Sequence, residues 1–230
     1  MSDFVVYGTH ASPFVRKTEA ALHHVGAAYD FENVNIMAMP DWFVEISPAK
    51  RIPVLRDKTI GTEGIPGTIA DSSAIALFLN QKFNSDLFGK DAYEAGRIAW
   101  FEEYADTNLA MTTGMEVFRP ILFPAFGGNP PELEKAKAGF NEKLPPIWDY
   151  FEGSLEGKEY LVGDSYSQAD IALGAQMSQL TLVTHLPDPA KYPNLVKHTE
   201  MMMTKPGFVE NLEKASGMLS AIVKEKVDLA

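Results

Sequence analysis

The sequence predicts a small α/β domain followed by an all-helical domain. Two observations carry this. Strand and helix signals alternate over the first third of the chain. After a turn-rich stretch at 84–90, no strong strand signal recurs and helical periodicity dominates. The length of 230 residues agrees: it suits one large domain or two small ones, and it buries a sizeable core without disulfide staples. The predicted bounds are 1–83 for the α/β domain, 84–90 for the linker and 91–230 for the helical domain.

The elements follow in order. "DFVVYGT" is a short run of β-branched and aromatic residues and reads as a strand. "SPFVRKTEAALHHVG" places Phe14, Thr18, Ala21, Leu22 and Val25 at helical spacing, with Gly26 where a helix stops. "AYDFENVNI" alternates as a second strand and "IPVLRD" is a third. "DKTIGTEGIPGT" is an extended turn whose glycines do not match a phosphate loop. "GTIADSSAIALFLNQKF" reads as strand, cap and helix. A strand–helix–strand opening implies a parallel pair joined by a right-handed crossover.

Beyond the linker, "YEAGRIAWFEEYADTNLAMTTGMEVF" is helical and "FPAFGGNPP" should break it. "ELEKAKAGFNEKLPPIWDYFEGSL" follows, with a break or kink at Pro145-Pro146. "SQADIALGAQMSQLTLV" is a further helix, opened by a capping box from Ser167 to Asp170, and two more helices precede Ala230.

Composition narrows the function. A net charge of -11 argues against nucleic acid and anionic membranes as partners. The opening "MSDFVVYGTH" has no signal-peptide pattern, and no apolar run reaches membrane-spanning length, so the expected compartment is the cytoplasm. The chain has no cysteine, which excludes disulfides, thiolate metal sites and a cysteine nucleophile. Its five histidines form no ligand pair, so no metal is expected.

Ser12-Pro13 has the form of a helix start, serine at the cap and proline at the first helical position. Asp71-Ser72 opens another helix in the same way. Two helix N-termini present unpaired amide donors and a positive dipole end, which suits an anionic ligand. The cap reading and the ligand reading of Ser12 differ in direction: a cap uses an acceptor lone pair, whereas stabilising an anion uses the hydroxyl hydrogen.

Four stretches in this order, "VVYGTHASPFVRKTEAALHHVGAAYDFENVNI", "ISPAKRIPVL", "ADSSAIALFL" and "YSQADIAL", together resemble the glutathione transferase family, in its serine-type, phi-like form. The resemblance covers nearly the whole chain. It implies a thioredoxin-like first domain, an all-helical second domain and a homodimer. Glutathione would be the co-substrate, and its thiolate would be conjugated to a small apolar electrophile in detoxification. Ser12 would donate to the glutathione sulfur. The Ile52 backbone would pair with the cysteinyl part, beside a cis bond at Pro53. Asp71 would accept from the γ-glutamyl ammonium, Ser72 would hold its carboxylate, and Lys50 or Arg51 would meet the glycyl carboxylate. Arg51 departs from the glutamine common at its position, and the extended turn is longer than the family's hairpin.

Tyr7 is the rival hydroxyl, and it reads as core of the first strand. Thr9 and His10 share the loop of Ser12, His10 as an exposed loop histidine. The stripe Trp100, Tyr104, Met111, Met115 and Phe118 has helical spacing and reads as core, or as the lining of an electrophile pocket, in which case Met111 and Met115 are its candidates. The alternatives to conjugation are a non-catalytic binding protein on the same fold, and a glutathione-dependent isomerase or peroxidase at the same site.

Overall fold

In a computed structural model, which describes residues 2–229, both halves take the predicted classes. Strands β1 (Phe4–Gly8), β2 (Tyr29–Asn33), β3 (Val54–Asp57) and β4 (Thr68–Ala70) form one sheet in the order β2-β1-β3-β4. β1 and β2 are parallel; β3 runs antiparallel to β1, and β4 antiparallel to β3. Helix α1 (Pro13–His24) connects the parallel pair and ends before Gly26, which has φ 67°. That left-handed conformation favours glycine.

Helix α2 (Asp41–Ile46) was not anticipated. Six residues are too few for a period of 3.6 to register. It forms because Phe43 and Ile46 are buried with Tyr7, Val34 and Val54 in a small apolar cluster. Helix α3 (Ser72–Phe83) completes the α/β part.

The extended turn has a physical reason. Arg56 is buried in β3, and its guanidinium donates to the carbonyls of Gly61, Pro66 and Gly64 at 3.2, 3.0 and 2.8 Å. Its Nε donates to the Tyr7 hydroxyl at 3.2 Å. A tight hairpin would not supply three carbonyls around one cation. Asp57 closes the base of the turn. Its carboxylate accepts from the Thr59 amide and hydroxyl and from Lys82 at 2.6 Å.

The helical half opens with a continuous run over 92–126: α4 (Ala92–Tyr104), a π segment Ala105–Leu109, α5 (Ala110–Thr112), a second π segment Thr113–Phe118, and α6 (Arg119–Phe126). The expected break falls within "FPAFGGNPP", where the run continues through Pro124 and stops before Gly127. Then follow α7 (Leu133–Ala138), a π segment Gly139–Lys143, α8 (Pro145–Ser154), α9 (Gln168–Leu180), α10 (Pro193–Met203) and α11 (Pro206–Leu219). Pro145 starts α8, so the break falls at Leu144. Among the described residues, no helix is long and apolar enough to cross a membrane.

α9 is buried along its whole length. Asp170 serves its start as the capping box requires, accepting from the Ser167 amide and hydroxyl at 2.9 Å each. It also accepts from the Leu161 amide and faces His198 Nε2, both at 2.9 Å. One apolar cluster is shared by the halves: Val6, Val15 and Leu22 pack with Ile171, Ala175 and Phe208. Gly207 lets α11 lie directly on α1, since a Cβ there would stand 2.7 Å from the Ala20 Cα.

Lys82 and Thr59 hold Asp57 below the usual carboxylate range, although burial works the other way. A carboxyl whose folded pKa is depressed stabilises the fold above its unfolded value and loses that contribution as pH falls. Asp57→Asn is therefore expected to unfold at lower urea than wild type at neutral pH. As pH falls below about 4 the gap should narrow, because the unfolded wild-type carboxyl then takes up a proton that the folded one resists.

Candidate active site

The sheet register brings three loops to one edge. Tyr7 lies opposite Val54, and Val54 lies opposite Ala70. The end of β1, the start of β3 and the end of β4 thus adjoin. The segments Thr9–Ser12, Lys50–Pro53 and Asp71–Ser72 leave or enter the sheet there.

Ser12 caps α1. Its backbone is extended (φ -87°, ψ 127°), its amide donates to the Thr9 carbonyl at 3.0 Å, and its Oγ accepts from the Val15 amide at 3.4 Å. That contact uses one acceptor lone pair and leaves the hydroxyl hydrogen available. The first turn of α1 carries no acidic residue, so nothing there neutralises the positive end of the helix dipole.

The Ile52–Pro53 bond is cis. Ser47, itself buried, ties the preceding backbone in both directions: its Oγ donates to the Arg51 carbonyl at 2.7 Å and accepts from the Arg51 amide at 3.2 Å. Lys50 and Arg51 are exposed, and Lys50 has φ 53°.

Asp71 has φ 86° and ψ 131°, a left-handed conformation that costs a non-glycine residue about 1–3 kcal/mol. The cap offsets that strain, since Oδ1 accepts from the Ser73 and Ala74 amides at 2.8 and 3.4 Å. Asp71 is exposed, whereas Ser72 is buried.

The rivals of Ser12 have contacts of their own. The Tyr7 hydroxyl is engaged by Arg56, and its ring packs edge-on to Trp42. Thr9 Oγ1 lies 3.9 Å from the Met218 sulfur. His10 is not the exposed loop residue expected: its ring is buried, stacked on Phe31 at 3.8 Å, with Nδ1 3.3 Å from Glu19.

The aromatic and methionine stripe also departs from the core reading. Trp100, Met111 and Met115 are exposed, and only Phe118 is buried. Trp100 stacks on Tyr104 and donates to the Tyr150 hydroxyl at 2.8 Å. Met111 and Met115 lie on the 92–126 run, outside the three-loop edge. Among the described residues, no cluster of three or more His, Asp or Glu could hold a metal ion.

The pattern missed Lys17. Its ammonium is wholly buried and reaches Glu102 at 2.7 Å, Asp106 and the Ser73 hydroxyl at 3.0 Å. Gln168 donates to Glu102 at 2.9 Å, and Gln176 donates to Asp106 at 3.5 Å. The cluster thus joins α1 to the start of α3 and to the first π segment, a geometry often found at functional sites. Burial works against the Lys17 charge, but the two carboxylates outweigh it and hold its pKa above the ordinary value. Burial, together with repulsion from Glu102, lifts Asp106 above its ordinary value despite Lys17. Lysine is ordinarily exposed, but α1 is covered on both sides and Lys17 is buried.

Comparison with known proteins gives one consistent result. Residues 11–82 match the family Glutathione S-transferase, N-terminal domain, and residues 116–215 match Glutathione S-transferase, C-terminal domain. The chain is 30% identical over 208 residues to glutathione S-transferase F10 of Arabidopsis thaliana, covering 84% of this chain and 86% of that one. It is 27% identical over 215 residues to glutathione S-transferase D6 of Drosophila melanogaster, covering 91% and 92%. Among solved structures, a glutathione transferase homologue from Drosophila mojavensis with bound glutathione superposes with a TM-score of 0.77 at 22% identity, covering 99% of this chain and 100% of that one.

Removing the buried ammonium is expected to be costly. Lys17→Met keeps the volume but leaves Glu102 and Asp106 buried without their cation, at about 3–5 kcal/mol by chemical denaturation. Adding Glu102→Gln and Asp106→Asn should recover most of that loss. No recovery would mean that charge compensation is not what holds the cluster.

Proposed function

The chain belongs to the glutathione S-transferase family of enzymes, and from that premise we propose that it conjugates the glutathione thiolate to apolar electrophiles, with Ser12 stabilising the thiolate. The observation that carries this is the Ser12 hydrogen bond. The side chain accepts from the Val15 amide as a cap, and among the described residues it donates to none. A chain without cysteine must take its thiol from a ligand.

A free thiol has a pKa of about 8.5, so only a few per cent is thiolate at neutral pH. A hydroxyl donor at a helix N-terminus favours the anion. Lowering the pKa by about two units makes most of the thiol reactive and corresponds to roughly 2.7 kcal/mol of differential stabilisation. The thiol proton leaves to solvent. The sulfur lone pair then forms the carbon–sulfur bond, while the electrophile's leaving group or π bond takes up the displaced electron pair. Ser12 donates a hydrogen bond throughout and forms no covalent bond.

The remaining loops divide the tripeptide among themselves in this reading. The Ile52 backbone beside Pro53 takes the cysteinyl part, and Asp71 and Ser72 take the γ-glutamyl end at the start of α3. Lys50 or Arg51 takes the glycyl carboxylate, for which their exposed cations suit. Met111 and Met115, exposed on the 92–126 run, are proposed to meet the electrophile. The strained backbone of Asp71 supports this division, since strain of that kind concentrates at ligand sites. A homodimer and a cytoplasmic location complete the reading.

Ser12→Ala tests it. With a chlorodinitrobenzene as electrophile, kcat is expected to fall about tenfold or more at neutral pH, while glutathione affinity stays within about twofold. Full activity in Ser12→Ala would contradict the assignment and turn attention to Tyr7. Glutathione binding without conjugation by either protein would favour the non-catalytic alternative, and turnover only with an isomerisable substrate or a peroxide would favour the other.

A further inference from the structure

The loop that carries Ser12 is tied at two consecutive residues into one closed chain of buried hydrogen bonds. His10 Nδ1 lies 3.3 Å from Glu19. Glu19 accepts from Asn211 Nδ2 at 2.5 Å, and Asn211 Oδ1 accepts from Arg16 Nε at 2.8 Å. Arg16 donates to Gln179 Oε1 at 3.1 Å, and Gln179 Nε2 donates to the Ala11 carbonyl at 3.1 Å. The circuit therefore starts at His10 and ends at Ala11, the two residues before Ser12.

Its members come from four places: the loop, α1, α9 and α11. The five side chains are nearly inaccessible, with His10 the most exposed at 9%. Glu19 also accepts from the Tyr29 hydroxyl at 3.0 Å, and Arg16 also donates to the Ala175 carbonyl at 2.9 Å. Apart from Arg16 Nη2, which has no partner among the described residues, these bonds pair the donors and acceptors along the circuit. A buried network of that kind resists other geometries, because they would leave further polar groups unpaired in a low dielectric. The close approach at Gly207 sets α11 against α1, so Asn211 can reach both charges.

We propose that this circuit positions the Ser12 hydroxyl, so that His10 and Gln179 are positioning residues of the transfer reaction. The proposal rests on the reading of Ser12 as the thiolate's hydrogen-bond donor. Such a bond is directional and short, and a loop displaced by a fraction of an ångström loses much of it. The second domain thus takes part in activating the thiol through two α9 and α11 side chains that reach no ligand themselves. A purely structural role would be different in kind: the side chains would satisfy Arg16 and Glu19, and the loop would follow passively.

Two variants separate these roles. His10→Phe keeps a ring to stack on Phe31 and removes Nδ1. Gln179→Met keeps the length of the side chain and the charge of the site and removes the donor to Ala11, together with the acceptor for Arg16, which retains Asn211 and the Ala175 carbonyl. Each is compared with wild type and Ser12→Ala in the pH profile of kcat at saturating glutathione, with thermal melts confirming the fold. The expected result for both is a rise of about half a unit or more in the apparent pKa of the bound thiol and a loss of about tenfold in kcat at neutral pH. KM for glutathione should stay within about twofold, because the peptide-binding contacts are untouched. Folded variants with wild-type profiles would overturn the proposal if Ser12→Ala shifts its own profile. If Ser12→Ala leaves the profile unchanged, the Ser12 reading fails and the proposal falls with it.

Discussion

Three charged side chains on α1, Arg16, Lys17 and Glu19, are each no more than 1% exposed. A buried charge without a partner costs several kcal/mol, a large part of a typical domain's whole stability. The sheet, lying on one side of α1, supplies Tyr29 to Glu19, while α3 supplies Ser73 to Lys17. The loop before α1 supplies His10 to Glu19, and the second half supplies Glu102 and Asp106 to Lys17, Gln179 and the Ala175 carbonyl to Arg16, and Asn211 to both Arg16 and Glu19. The two halves are therefore bound by charge as well as by the shared apolar cluster. Burial pushes the Arg16 guanidinium down to about 9, against the pull of Glu19, and it remains charged at neutral pH.

This constraint bears on the proposed function because α1 starts at Ser12. A helix locked along two faces gives its cap a fixed position relative to the cis-proline segment and the start of α3. Lys17 extends the lock to α3 through Ser73, the neighbour of Ser72. The strained Asp71 backbone and the caps at both helix starts are thus held by a frame whose rigidity is electrostatic. Burial is the chief reason that Asp106 binds its proton more tightly than an ordinary aspartate, and the Glu102 charge adds to it against the pull of Lys17.

Much of this was legible from local patterns. Alternation revealed the strands, and Ser12-Pro13, Asp71-Ser72 and Ser167 to Asp170 marked three helix starts, because capping chemistry lies within four residues. The cis bond at Pro53 followed only from family resemblance. What stayed hidden depends on distant partners. Lys17 and Asp106 are 89 residues apart, and Arg16 and Asn211 are 195 apart, so no window of the chain contains either pair. α2 was too short to register, and His10 looked exposed because nothing nearby announces Phe31 and Glu19. The stripe from Trp100 to Phe118 misled because spacing marks a helix face and not whether that face is covered: Trp100, Met111 and Met115 are exposed.

The central claim is that the Ser12 hydroxyl, engaged only as an acceptor by its own helix, turns its hydrogen to a borrowed sulfur. A crystal structure of the wild-type protein with glutathione bound tests this most directly. The account predicts the glutathione sulfur within about 3.5 Å of Ser12 Oγ, with the Val15 amide still bonded to the same oxygen. A sulfur resting on Tyr7, Thr9 or His10, or turned away from the α1 N-terminus, would contradict it.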